Sequence, residues 1–337
     1  MSQYIKPVGQ QLEALRLIQR WDEVPTKQTF TLGGYAGSGK TSLIPPIRDM
    51  LHYNSAVVTY TNKAAARLRE VGISDATTIY KLMYKLTDPD LMLWRRLDKL
   101  PVDVVIVDEA SMVGQNIRDD LESYDIPVLY VGDPFQLPPV KEESVMDNCD
   151  FTLTEVYRHG DVILDIATAI REGRPYDDVD QYSLSDTQLC DADIVICLSN
   201  NKRFELNQRI RKHRGFQTQA TRGDRVVAAK TIYDYGIFAG ELGTLVSTNN
   251  RRRYEVLFDG WNETVVLTNG HMLLPNENPY SVELKGRQCL DFGNAITCHK
   301  AQGSSWPSVL VWKEPRADAR WLYTAVTRAE KQVIIGG

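Results

Sequence analysis

Phe30-Thr31-Leu32-Gly33-Gly34-Tyr35-Ala36-Gly37-Ser38-Gly39-Lys40-Thr41 decides how the rest of the chain is read. An apolar, β-prone lead-in runs into glycines and closes on Gly-Lys-Thr. From 34 to 41 the spacing is Gly, four residues, Gly-Lys-Ser/Thr, the phosphate-loop pattern. The glycines let the backbone curl so that successive N–H groups point at phosphate oxygens. Lys40 is then placed for the β and γ phosphates and the Thr41 hydroxyl for Mg²⁺. Ser42-Leu43-Ile44 begin a predicted helix whose positive end faces the anion. A Gly-rich turn that matches by chance is the competing reading, and the strand–loop–helix context weighs against it. The loop implies a nucleoside triphosphate and leaves its use open.

Working outward, the chain has 337 residues, room for two or three domains. Hydrophobic content of 43% and charged content of 25% are those of a globular protein. A formal net charge of −5 argues against a surface coated with positive charge. It leaves room for a basic groove that binds nucleic acid. No apolar run approaches the roughly 18 residues of a membrane span, and the first residues lack an apolar signal core, so a cytoplasmic protein without membrane contact is expected. Cys149, Cys190, Cys197, Cys289 and Cys298 form no Cys-x-x-Cys pair, which predicts reduced thiols and neither a disulfide frame nor a zinc site.

A helix is predicted from residue 10, with Leu12, Leu15, Leu17 and Ile18 at helical spacing and Gln10 at its start. Ala56-Val57-Val58-Thr59-Tyr60 reads as a buried strand ending in Thr61-Asn62-Lys63. Those polar residues either line a ligand site at a strand's carboxyl end or cap the next helix. Val104-Val105-Ile106-Val107 runs into Asp108-Glu109, the first acid placed to hold Mg²⁺ and the second to polarise water. Val128-Leu129-Tyr130-Val131 leads into Gly132-Asp133-Pro134-Phe135-Gln136, a proline-locked loop, where Gln136 is either a γ-phosphate reporter or part of an ordinary turn. Trp94, beyond Asp88-Pro89, is either exposed on a partner-touching insertion or a buried anchor. In the second half, Ile194-Val195-Ile196-Cys197 opens into Ser199-Asn200-Asn201-Lys202. Short alternating strands separated by turn signals over 223–290 predict a small antiparallel barrel. Arg328, near the C-terminus, is either a surface ion-pair partner or a cation for a γ-phosphate.

Taken in order, these segments resemble superfamily 1 helicases of the 5′→3′ RecD-like, Dda-like branch, in a minimal form similar to phage-encoded ones. Residues 34–41 resemble motif I, Thr61-Asn62-Lys63-Ala64-Ala65 motif Ia, Thr78-Ile79-Tyr80 motif Ib and Asp108-Glu109-Ala110-Ser111-Met112 motif II. Gly132-Asp133-Pro134-Phe135-Gln136-Leu137-Pro138-Pro139 resembles motif III and Leu153-Thr154-Glu155-Val156-Tyr157-Arg158 motif IV. Thr297-Cys298-His299-Lys300-Ala301-Gln302-Gly303 resembles motif V, and Tyr323-Thr324-Ala325-Val326-Thr327-Arg328 motif VI. Two positions depart from the pattern: Tyr80 stands where histidine is common, and Ser305 where a glutamate often contacts ribose.

The resemblance implies an α/β fold of two RecA-like phosphate-loop domains with parallel sheets. The first spans 1–150, with a wedge or pin insertion at about 81–101. The second comprises 151–222 and 291–337, interrupted by a small SH3-like barrel at 223–290. ATP and Mg²⁺ are implied, held by Gly34, Ala36, Gly37, Ser38, Gly39, Lys40, Thr41, Ser42 and Gly303, with Gln10 and Tyr157 on adenine and Thr41 and Asp108 on the metal. Glu109 is the implied general base, and Gln136, Arg158 and Arg328 meet the γ-phosphate across the cleft between domains. Thr61, Asn62, Lys63, Thr78, Tyr80, Asn200, Lys202, Thr297 and His299 are implied to line a single-strand path, with Trp94 at the wedge tip. The implied activity is ATP-driven 5′→3′ translocation and DNA unwinding by a monomer. Single-stranded DNA and 5′-tailed duplexes are the implied partners, alongside a single-strand-binding protein or replisome components. A single-strand-stimulated translocase that strips proteins or serves a replication or recombination complex without robust unwinding, and a nucleotide-binding subunit without turnover, are the two alternatives.

Overall fold

Parallel pairing of the apolar runs builds the first sheet. The computed structural model describes residues 6–24, 27–51, 53–88, 93–139, 142–157, 162–176, 184–216, 219–229, 232, 235, 237, 239–249, 253–268 and 290–336, with the backbone alone at 86–88 and 93–94. It divides into two units, 1–165 and 166–337.

The first unit opens with α1 (Gln10–Glu23), β1 (Thr29–Gly34), α2 (Lys40–Leu51), β2 (Ser55–Thr59), α3 (Asn62–Glu70), β3 (Thr77–Thr78) and α4 (Ile79–Met83). A hairpin of β4 (Tyr84–Asp88) and β5 (Leu93–Arg96) follows. Then come β6 (Val104–Asp108), a 3-10 turn (Ala110–Met112), α5 (Gln115–Glu122), β7 (Val128–Gly132) and β8 (Phe151–Leu153), with α6 (Val162–Glu172) leading into the second unit. The strands run parallel in the order β3-β2-β6-β7-β1-β8. β6 and β7 are buried throughout, as expected of strands covered on both faces. One core lies between the sheet and α1 and α2, built from Ile18, Trp21, Leu32, Leu43, Ile44 and Ile47 among others; another contains Ile79, Met83, Val105, Val107 and Leu121. α2 continues through Pro45 and Pro46, which remove two helical donors. Burial of Leu43, Ile44, Ile47 and Leu51 on its core face offsets that loss.

The expected domain boundary at 150/151 is corrected by β8. Its residues pair in parallel with Leu32, Gly33 and Gly34 of β1, so 151–153 complete the first sheet, and the first unit extends to Asp165. A strand's hydrogen bonds need a neighbour, and β1 has a free edge there.

The second unit contains α7 (Asp186–Asp191), β9 (Ile194–Cys197), α8 (Asn200–His213), β10 (Arg225–Ala228), β11 (Leu242–Asn249), β12 (Arg253–Phe258) and β13 (Val265–Thr268). It ends with β14 (Leu290–Phe292), β15 (Ala295–Thr297), α9 (Cys298–Ala301), β16 (Trp306–Trp312), α10 (Ala319–Val326) and β17 (Ala329–Gly336). A parallel sheet has the order β15-β9-β16-β17, and an antiparallel one the order β13-β12-β11-β10-β14. The antiparallel sheet surrounds its own core of Val226, Leu245, Val256, Phe258 and Phe292. Asn207 of α8 fixes the crossing from one sheet to the other. Its buried side chain accepts from the Asn294 and Ala295 N–H groups and donates to the Ala295 carbonyl. Cys149, Cys190, Cys197 and Cys298 are unpaired thiols. Among the described residues, no helix is long and apolar enough to cross a membrane.

Candidate nucleotide and nucleic-acid sites

In a parallel sheet the loops after neighbouring strands share the carboxyl edge, where ligands bind. The order of the first sheet therefore places the loops after β2, β6, β7, β1 and β8 side by side. These carry Thr61-Asn62-Lys63, Asp108-Glu109, Gln136, the phosphate loop, and 154–157 respectively.

The phosphate loop is held open by its own backbone and by one buried neighbour. Gly37 and Gly39 have φ of 78° and 80°, a region that penalises any Cβ. Gln11 of α1, which is buried, donates from Nε2 to the Ser38 carbonyl over 3.0 Å and contacts the space beside Gly39. Lys40 Nζ donates to the Gly34 and Tyr35 carbonyls at 2.5 and 3.0 Å, so the cation closes on its own loop. Thr41 Oγ1 donates to Asp108 Oδ2 across 3.4 Å. Asp108 is 5% exposed, and burial followed by the Glu109 charge pushes its carboxyl up to about 7. The Asp108 carboxyl beside the Thr41 hydroxyl is a pair of oxygen donors that fits a hard divalent cation carried by a triphosphate. Ser38 Oγ and Gln136 Oε1 are buried and make no hydrogen bond, which fits a site built for further polar groups.

Glu109 has φ 54° and ψ 40°, left-handed backbone for a non-glycine residue. Such a conformation costs about 1–3 kcal/mol and is found at functional sites. The turn after it is braced, since Ser144 Oγ donates to the Ser111 carbonyl.

The expected base-side residues gather beside this loop. Tyr35 N–H donates to the Leu153 carbonyl and Tyr157 N–H to the Gly37 carbonyl, which locks 153–157 along the loop. Gln10 Oε1 accepts from the Thr154 and Glu155 N–H groups at 2.7 and 3.0 Å. Tyr157 Oη donates to Glu155 Oε2 over 2.5 Å. Arg158 lies outside the described residues.

Residues expected on the strand path divide by role. Thr61 and Thr78 each accept from the N–H three residues on, capping α3 and α4, so the capping reading of Thr61 holds. Thr78 is buried, whereas Tyr80 is 46% exposed and lies between Tyr60 and Tyr84, with ring centroids at 6.4 and 5.9 Å. Tyr60 was missed by the sequence reading; its position between a core strand and a polar switch was the available signal. Asn62 and Lys63 are half-buried at the start of α3. Trp94 stands in β5 opposite Leu86, and its side chain lies outside the described residues.

In the second unit, Asn200 and Lys202 follow β9, Thr297 ends β15 and His299 follows it, and these are neighbouring strands of one sheet. Asn200 accepts from Arg203 Nε, and Lys202 Nζ lies over the Trp312 ring at 5.2 Å. Thr297 is buried, and burial holds the His299 imidazole below its ordinary range. Gly303 and Arg328 sit at the opposite, amino edge, before β16 and β17. Arg328 is buried, donating to the Thr324 and Ser304 carbonyls and Thr327 Oγ1. The surface ion-pair reading of Arg328 is thereby set aside. Ser305 Oγ donates to Glu330.

A family model described as an AAA domain matches residues 10–187, and one described as a UvrD-like helicase C-terminal domain matches residues 292–335. The ATP-dependent RecD2 DNA helicase of Deinococcus radiodurans is 28% identical over 363 residues, covering 94% of this chain and 48% of that protein. The RecBCD enzyme subunit RecD of Mycolicibacterium smegmatis is 25% identical over 394 residues, covering 91% and 68%. The chain thus spans about half the length of the Deinococcus relative. Among solved structures, Pif1 helicases studied at forked dsDNA superpose with a TM-score of 0.65 at 18% identity, covering 98% of this chain and 92% of that one. Pif1 helicase from Bacteroides, in complex with ADP-AlF3 and ssDNA, gives 0.61 at 18% identity, covering 96% and 91%. At that identity the likeness speaks for the fold alone, a two-domain RecA-like one. With the AAA-domain match spanning more than half its length, the chain belongs to the AAA-domain family.

Proposed function

We propose that the chain is an ATP-dependent DNA helicase that moves 5′→3′ on single-stranded DNA. The observation that carries this reading is the shared carboxyl edge of the first sheet. There the phosphate loop, the Thr41 and Asp108 pair, strained Glu109 and Gln136 leave neighbouring strands. The names of the relatives support it, RecD2 as a DNA helicase and Pif1 at forked DNA.

In this reading Lys40 leaves its two loop carbonyls for the β and γ phosphates. Thr41 and Asp108 would hold Mg²⁺, which would supply charge neutralisation at the transferring phosphoryl group. Glu109 orients and deprotonates the attacking water. Gln136 and Arg158 serve as γ-phosphate partners. Exposed Tyr80 supplies a stacking face, and Asn62, Lys63, Asn200 and Lys202 supply polar and cationic contacts to the strand. The β4–β5 hairpin acts as the duplex wedge, and the antiparallel sheet closes as an SH3-like barrel. The substrates are single-stranded DNA and 5′-tailed duplexes, and the motor works as a monomer.

The test is ATP hydrolysis with and without single-stranded DNA, together with strand separation of 5′-tailed and 3′-tailed duplexes. Stimulated hydrolysis and opening of the 5′-tailed substrate alone are expected, both abolished in Lys40→Ala and Glu109→Gln. Full turnover by either variant contradicts the reading. Translocation without duplex opening would leave a protein-stripping translocase in its place.

A further inference from the structure

At the carboxyl edge of the second unit's parallel sheet, one carboxylate is committed to its own chain. β16 pairs with β9 in parallel, so the ends of the two strands lie side by side. β16 ends at Trp312, and Glu314 follows two residues later. Glu314 Oε1 accepts from the Leu198 and Ser199 N–H groups at 2.8 and 2.9 Å, and Oε2 from Ser199 Oγ at 2.7 Å. A single half-buried side chain thus takes up three donors of the turn between β9 and α8. Ser199 is also the N-cap of α8, its Oγ accepting from the Lys202 N–H at 3.2 Å. A hydroxyl has one proton and two lone pairs. With the proton given to Glu314, the lone pairs serve the cap.

The first turn of α8 carries two donors fixed from the same surroundings. Lys202 Nζ lies over the Trp312 ring at 5.2 Å, so β16 holds both the turn and the ammonium. Nζ also donates to Glu205 Oε2 at 2.6 Å. The Glu205 side chain is 57% exposed, and a surface pair of this kind has small net worth and yields to a phosphate. Asn200 Oδ1 accepts from Arg203 Nε at 3.2 Å, and Arg203 is itself held by buried Asp291. With its oxygen engaged, the exposed Asn200 carboxamide offers N–H donors. By charge alone, an acid beside the path of a polyanion opposes binding. The hydrogen bonds of Glu314 act in the other direction, by ordering the turn before the strand arrives.

We propose that Glu314 is a positioning residue for the single strand: by holding the β9–α8 turn it sets the Asn200 and Lys202 donors for a backbone phosphate. The proposal rests on the DNA reading above and adds to it the residue that orients this contact.

The experiment measures binding of a fluorescein-labelled oligothymidylate to the whole chain by anisotropy, over about 50 to 200 mM salt. Removal of a negative charge alone would tighten binding in Glu314→Ala. Expected instead is binding weaker by roughly 10-fold, the scale of one charge-assisted hydrogen bond. The slope of log affinity against log salt should also become shallower by about 0.7, one phosphate contact on a single strand. Lys202→Ala is expected to lose the same slope, and the double variant no more. Glu314→Gln keeps an acceptor for both N–H groups and is expected to restore most of the affinity and the slope. Tighter or unchanged binding by Glu314→Ala, or weaker binding at the wild-type slope, overturns the assignment. So does a glutamine variant as weak as the alanine one. If Glu314→Ala is insoluble, Ser199→Ala cuts the same line at its middle: several-fold weaker binding supports the proposal, and wild-type affinity overturns it. Absence of any DNA binding by wild type overturns instead the DNA reading on which the proposal stands.

Discussion

Gln11 Nε2 donates to the Ser38 carbonyl over 3.0 Å, joining the first turn of α1 to the middle of the phosphate loop. Both residues are buried, so no water replaces the donor if it is removed. Gln11→Ala is therefore expected to cost about 1–3 kcal/mol of stability, the desolvation penalty of an orphaned carbonyl. The loop it braces loosens as well, so KM for ATP should rise more than kcat falls. Denaturant unfolding and steady-state kinetics check both; wild-type values of each would rule out the brace.

Asp108 gives stability a pH dependence in the absence of nucleotide and metal. Its carboxyl is raised to about 7 from 3.8 by burial and by Glu109. The folded state then holds a proton that the unfolded chain has lost. Stability from this group is present in full below about pH 4 and declines as pH rises through about 7. Asp108→Asn, permanently neutral, should flatten that decline and be the more stable protein at pH 8, by on the order of a few kcal/mol. Melting temperatures from pH 5 to 8 test this, and an equally steep fall in the variant would refute it.

The hairpin is rooted on α5 by polar groups at its base. Tyr84 Oη donates to Asp120 Oδ2 over 2.6 Å, and the Arg96 guanidinium lies over the Tyr124 ring at 4.4 Å while donating to the Asp120 carbonyl. Lysine lacks the planar fork, so Arg96→Lys is not conservative there. If the hairpin splits the duplex, Arg96→Lys should slow unwinding several-fold, on the order of the 1 kcal/mol in a cation–π contact. DNA-stimulated hydrolysis should stay near wild type. Parallel loss of both activities would place the root in the motor and not in strand separation.

Two buried ion pairs secure α8 to the antiparallel sheet, Arg211 with Asp224 and Arg203 with Asp291. Arg211 also stacks on Phe292 at 3.9 Å, and the side chains of Arg211 and Asp224 are 2% and 0% exposed. Arg211→Ala strands a buried carboxylate and should cost about 3–5 kcal/mol, whereas replacing both partners by Met and Leu should recover much of it. Chemical denaturation of the single and double variants measures the difference. A single variant within 1 kcal/mol of wild type, on the order of a surface pair, would show that the pair is dispensable.

The sequence by itself determined the parallel strands, the phosphate loop and the acidic pair. Each is a local pattern, an apolar run followed by residues of fixed chemistry, and local spacing specifies it. The antiparallel strands of 223–268 were legible for the same reason, since alternation and turn residues are neighbours in the chain. Tertiary structure alone decided which sheet claimed 151–153, because pairing is a contact between β1 and β8 that no local pattern records. It also decided which side chains were committed: Thr61 to a cap, Arg328 to three acceptors in its own unit, Gln10 to the 154–155 backbone. Gln11, one residue from the expected Gln10, looked like any polar residue of an amphipathic helix. Burial against Ser38 made it a brace, and burial arises only when distant segments meet.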